Sequence, residues 1–249
     1  MPTSGRFPAT MPRRVRIPSA GIVYHVLNRA VKQLVLFSSD WDYASFEELL
    51  FEAKQRTAVR LFDYCLMRNH FHLILCPERD GELSRFMHWL TVTHAQRWNA
   101  FYGTSGTGAV YQGRFKAIPI QSDVHFLTAC RYVERNPLRA NLVSDATDWR
   151  WSSLWRRRKF CEHGLLDAWP VVRPVQWEEY VNEPQSEAEL EALREAIRRG
   201  APLGDDHWQR TMAKLLGLES SLRPRGRPRK KKTPDPFMSS RSGPRGRRK

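Results

Sequence analysis

The stretch from Phe62 to Cys76 constrains this chain more than any other. Two apolar, strand-prone runs flank Arg68-Asn69, a pair suited to a tight turn, so the pattern predicts an antiparallel hairpin. Side chains of a strand alternate between its faces, so His70 and His72 point the same way from a stiff support. Two imidazoles held like that suit one metal ion, although two histidines on a solvated strand face give the same pattern.

A second stretch, Cys130-Arg131-Tyr132-Val133-Glu134-Arg135-Asn136-Pro137-Leu138-Arg139-Ala140, adds the missing chemistry. Tyr132 and Asn136 are four apart, so on a helix they share one face, where a nucleophile and an oxygen-donating ligand can sit together. Pro137 disfavours helical geometry at Asn136, so the predicted helix ends there, with Tyr132 in its last turn.

These stretches resemble the single-tyrosine HUH transposases of the IS200/IS605 type, most closely their REP-associated branch. Four segments carry the resemblance, in the family's order: Tyr24-His25-Val26-Leu27-Asn28-Arg29, Tyr64-Cys65-Leu66-Met67-Arg68-Asn69-His70-Phe71-His72, Tyr111-Gln112-Gly113-Arg114-Phe115-Lys116, and Arg131 to Ala140. Relatives usually have Pro where this chain has Arg68, a departure that touches the turn rather than the histidines.

The resemblance implies a metal-dependent endonuclease and strand transferase acting on single-stranded DNA. In it, His70, His72 and Asn136 hold Mg²⁺ or Mn²⁺, and Tyr132 forms a 5′-phosphotyrosine. It also implies DNA hairpins as partners, DNA contacts from Arg29, Arg114, Phe115, Lys116, Arg131, Arg135 and Arg139, and a site completed within a monomer or across a homodimer. Two other readings compete: a metal-dependent phosphodiesterase using water, with Tyr132 structural, and a non-catalytic DNA-binding regulator derived from a transposase.

Charge agrees with a polyanionic partner. The formal net charge is +15, and it is unevenly placed: twelve of the 41 Lys and Arg and one of the 26 Asp and Glu fall within 223–249, which leaves +11 there and +4 elsewhere. No run is long and apolar enough for a membrane span, and no apolar run follows Arg13-Arg14 as a secretion signal would require, so a cytoplasmic, nucleoid-associated protein is expected. Cys65, Cys76, Cys130 and Cys161 show no paired spacing and read as core thiols of a reducing compartment.

Along the chain, residues 1–20 read as a mobile basic leader, 21–145 as the catalytic domain, 146–222 as a Trp-rich and helical extension, and 223–249 as a disordered basic tail. Ile22 to Asn28 reads as a first strand, in which His25 is a packed or hydrogen-bonded residue rather than a ligand. Ser39-Asp40 caps a helix to about Arg56 that buries Phe46, Leu49, Leu50 and Ala53. Leu83 to Phe101 carries one apolar stripe that includes His94 and ends on Phe101. Tyr111 to Gln121 returns to strand character, and Asp123 caps the helix bearing Tyr132.

Beyond it, Trp149, Trp151, Trp155, Trp169 and Trp177 read as a packing layer over the sheet, or alternatively as a stacking platform for unpaired bases. Glu187 to Arg199 and Asp205 to Leu216 read as helices, the first on the surface. In the tail, Arg225 and Arg227 lie in Arg225-Gly226-Arg227-Pro228, which matches the core of AT-hook peptides, with non-specific phosphate binding as the alternative. The element order predicts an α/β (α+β) fold, a mainly antiparallel sheet with helices on one side; the resemblance also implies that it is ferredoxin-like, which this hairpin-rich order alone does not separate from other α+β folds.

Overall fold

The expected hairpin is present in the computed structural model, which describes residues 19–32, 34–159 and 164–223. Its arms are β2 (Val59–Met67) and β3 (His70–Pro77), and Met67 pairs with His70 across the turn. The leader up to residue 18, Cys161, and Arg225 and Arg227 of the tail lie outside the described residues.

β1 (Val23–Arg29) pairs with β3 on one side and with β4 (Lys116–Ile120) on the other, giving a four-stranded antiparallel sheet in the order β2-β3-β1-β4. With α1 (Asp40–Gln55) between β1 and β2, and α2 (Glu82–Phe101) between β3 and β4, the chain follows the β-α-β-β-α-β path of ferredoxin-like folds. Ser39 and Asp42 form a reciprocal capping box at the start of α1.

Alternation along each strand separates two cores. Tyr24, Val26, Phe71, Leu73 and Leu75 face α1 and α2 and pack with Phe46, Leu49, Leu50, Phe86 and Leu90. Val23, Ile74, Cys76, Ile118 and Ile120 face the opposite way, onto α3 (Val124–Glu134), where Phe126, Ala129, Cys130 and Val133 meet them. The sheet is therefore covered on both faces, which corrects the one-sided layer expected from the element order. The α2 stripe also ends early: Phe101 is exposed and stacks on Trp41, with ring centres 4.3 Å apart.

After α3 come α4 (Asn136–Arg139), α5 (Ser153–Arg158), α6 (Trp177–Asn182), α7 (Glu187–Arg199), α8 (Asp206–Leu216) and α9 (Glu219–Leu222). α7 is amphipathic rather than simply superficial, since it buries Leu190, Leu193 and Ala196 in the α3-side core. Residues 149–153 and 167–169 line the free edge of β2. Leu66 N–H donates to the Trp151 carbonyl (2.9 Å), Asp167 N–H to the Leu61 carbonyl (2.8 Å), and the indoles of Trp149 and Trp169 to the carbonyls of Leu66 and Phe62 (both 2.9 Å). An open strand edge invites pairing with another chain, and here the extension satisfies it. Three of the tryptophans, Trp149, Trp169 and Trp177, pack in the α3-side core, as the packing-layer reading expects.

Candidate active site

The cleft is built on the α3 side of β1 and β3. Leu27 stands opposite His72 and Arg29 opposite His70, so the histidine pair and Arg29 share one end of the sheet. His70 places Nδ1 2.7 Å from Asn69 Oδ1; because that oxygen only accepts, the ring donates there and keeps Nε2 unprotonated. His72 places Nδ1 2.8 Å from Nε2 of His25, and the two rings stack with centres 5.0 Å apart. The ring centres of His70 and His72 are also 5.0 Å apart.

Tyr132 reaches the histidines from the last turn of α3, in the same chain. Its ring lies edge-on to His72 at 6.0 Å and to His25 at 6.1 Å. The guanidinium of Arg139 covers the Tyr132 ring at 4.1 Å and donates to Asn136 Oδ1. Asn136 Nδ2 in turn donates to the carbonyls of Tyr132 (3.0 Å) and Val133 (3.3 Å), which aims its amide oxygen away from the α3 backbone. The helix stops at Glu134, slightly before the expected Asn136, and Asn136 opens α4 with Pro137 in its first turn, where a missing N–H costs nothing.

His70, His72, Tyr132, Asn136, Arg29, Lys116 and Arg139 line one open cleft of about 450 Å³. Burial is the main force on its imidazoles. It pushes His70 down to about 4, assisted by Arg29 and Arg139, and His25 down to about 3. His72 is held well below the usual histidine range by burial, then by His25, His70 and the two arginines. All three rings are therefore neutral near pH 7, the state in which a ring nitrogen can bind a cation. Among the described residues no three His, Cys, Asp or Glu side chains cluster as a metal site, so an ion here would rest on two imidazoles and the Asn136 amide.

The residues expected on DNA separate into three groups. Arg29, Lys116 and Arg139 line the cleft. Arg114 is exposed just before β4 and does not line it. Arg131, Arg135 and Phe115 do not line the cleft and make contacts elsewhere. Arg131 is 4% exposed, donates to the Glu183 carbonyl (2.9 Å) and lies 3.8 Å over the Tyr180 ring. Arg135 donates to the carbonyls of Val181 and Asn182 at the end of α6, where unpaired carbonyls favour a cation. Phe115 is half-buried against the core on the opposite face.

The two arginines thus fasten α3 to the extension. Glu134, fully buried, accepts from the indole N–H of Trp177 (2.6 Å) and from Ser153 (3.2 Å). His94 is a core residue, with its Nδ1 2.7 Å from the Tyr111 hydroxyl. Gln112 and Ile197 also line the cleft and carry no periodic or spacing signal of their own, although Gln112 lies within a stretch that resembles the family.

A ferredoxin-like sheet here brings two neutral imidazoles, a tyrosine and three basic side chains into one cleft. Residues 19–136 match the model of the family described as "Transposase IS200 like". The match begins just before β1 and ends on Asn136, so it spans both histidines and the tyrosine. No curated protein matches the chain. Among solved structures, a REP-associated tyrosine transposase bound to a REP hairpin is similar, with a TM-score of 0.48 and 15% identity over 72% of this chain and 99% of that one. No helix among the described residues is long and apolar enough to cross a membrane.

Proposed function

We propose that this chain is a transposase of the IS200-like kind, a metal-dependent endonuclease and strand transferase for single-stranded DNA, with Tyr132 as its nucleophile. The observation that carries this reading is the meeting of Tyr132 with His70 and His72 in one basic cleft of a single chain. The donors fit a divalent ion such as Mg²⁺ or Mn²⁺: both imidazoles are neutral, each has its Nδ1 tied to a neighbour, and Asn136 adds an amide oxygen. When bound, such an ion polarises the scissile phosphate and offsets its charge.

The chain's own side chains supply the rest. Arg29, Lys116 and Arg139 draw the phosphodiester into the cleft and orient it, which lowers the barrier to attack on an anion. The Tyr132 oxygen bonds to phosphorus as the bond from phosphorus to the 3′ oxygen breaks. The phenol proton is released and the departing 3′ oxygen takes one up. The products are a 5′-phosphotyrosine and a free 3′-OH, and since the ester bond is retained, another 3′-OH can displace Tyr132 without ATP. Hairpin-bearing single strands are the proposed substrate, with Arg114 and, in the tail, Arg225 and Arg227 adding contacts to phosphates.

Incubating the protein with a labelled hairpin-plus-tail oligonucleotide, with and without Mg²⁺, tests this. Wild type is expected to give cation-dependent, protein-linked DNA, and Tyr132→Phe to give none while binding nearly as well. Cleavage without linkage would assign attack to water. Binding alone, indifferent to chelator and to His70→Ala, would leave a regulator.

A further inference from the structure

We propose that His25 is a positioning residue that holds the proton of His72 on Nδ1, so that Nε2 of His72 presents a lone pair to the cleft. The inference rests on the reading of His72 as a ligand. His25 is 1% exposed, and its Nε2 contacts His72 Nδ1 at 2.8 Å. Its other nitrogen, Nδ1, is buried with no hydrogen-bonding partner among the described residues. A histidine placed only for packing would not leave one nitrogen unpaired where an apolar side chain would carry no such cost.

One proton lies between His25 and His72, and two arrangements can share it. If His25 donates, neutral His72 carries its own proton on Nε2 and can bind no cation there. If His72 donates, Nε2 is a bare acceptor and His25 keeps its proton on Nδ1. His25 Nδ1 is unpaired either way, so the cleft decides between the two. Arg29, Lys116 and Arg139 line it, and positive charge favours a lone pair there over an N–H. His70 has the same arrangement, donating through Nδ1 to Asn69 and leaving Nε2 free. The two histidines are thereby matched, each fixed by a neighbour through Nδ1, as outer partners fix metal-binding imidazoles.

Direct Mn²⁺ titration of the full chain, read by electron paramagnetic resonance, tests the assignment without relying on activity. His25→Leu should weaken Mn²⁺ binding roughly 10–100-fold, the usual effect of losing such a partner. His25→Gln, whose amide oxygen can accept from His72 Nδ1, should restore binding to within about threefold of wild type. Nitrogen-15 spectra of wild-type protein should place the His72 proton on Nδ1, a readout that needs no variant to fold. A proton found on Nε2, or wild-type affinity in His25→Leu alongside loss in His72→Ala, overturns this inference alone. Unchanged Mn²⁺ binding in His72→Ala overturns the ligand reading, and this inference with it.

Discussion

The two faces of the sheet come from alternate residues of the same strands, yet they are chemically unlike. Toward α1 and α2, β1 and β3 present Tyr24, Val26, Phe71, Leu73 and Leu75 to an interior dominated by aromatic and aliphatic side chains. Toward α3, the intervening residues include His25, His70 and His72, with Asp63 from β2 and Glu134 from α3 buried nearby. Polar groups out of water cost stability unless they are paired, and among the described residues the Asp63 carboxyl meets only the Cys130 thiol and the Tyr64 backbone, neither as a close hydrogen bond. One face is thus built for stability, and the other gives up some of it for reactive groups. The ferredoxin-like path permits this because strand alternation isolates the two sets of side chains.

Acid should separate the faces most strongly. In the folded metal-free protein His70 sits at about 4 and His25 at about 3, against an ordinary value near 6.5. Between those limits the unfolded chain binds more protons than the folded one, so stability falls as pH drops from about 6.5 towards 4. Each such group contributes a slope of up to about 1.4 kcal/mol per pH unit. His94, on the apolar side and at about 4, adds to the same trend. Urea titrations between pH 4 and 7 should show this slope, and His25→Leu should flatten it; a stability independent of pH would remove the contrast.

Core truncation on the other face comes next. Phe46→Ala should cost about 3–5 kcal/mol, because the side chain is fully buried between α1 and the sheet. Equilibrium denaturation measures this, and molecules that remain folded should still bind Mn²⁺ as wild type does. A loss of Mn²⁺ affinity per folded molecule would show that the two faces are coupled.

The smallest effect is expected at Asp63. Burial, then Glu134, raises its carboxyl well above the usual range, so the folded state holds a proton that the unfolded state releases. That contribution is lost as pH rises above about 4. Asp63→Asn should therefore gain about 1–2 kcal/mol at pH 7 and lose the advantage near pH 4. A destabilised Asp63→Asn at pH 7 would mean that the carboxylate has a partner essential to the fold.

Local signals were read well from sequence. The turn at Arg68-Asn69, the Ser39 cap, the stripe of α1 and that of α2 as far as His94 stand where periodicity and capping place them, because each depends on residues a few positions apart. The convergence of Tyr132 on the histidines followed from the family resemblance, and the alternation of β3 gave the shared face. Long-range commitments were not legible. Arg131 and Arg135 look like free cations beside a tyrosine, yet their partners are carbonyls some fifty residues later. The last strand is shorter than its sequence pattern for a similar reason: only Lys116 to Ile120 finds a run of partners on β1, and Tyr111 meets the sheet through a single bridge to Ala30. The second helical layer is not legible because the sequence pattern of α3 does not say which face of the sheet it covers.

Protease digestion of the covalent DNA complex, followed by mass spectrometry of the DNA-bearing peptide, tests the central claim most directly. The account predicts a single modified residue, Tyr132, linked through a 5′ phosphate. DNA attached to any other residue, or a cut strand with no attached peptide, would contradict it.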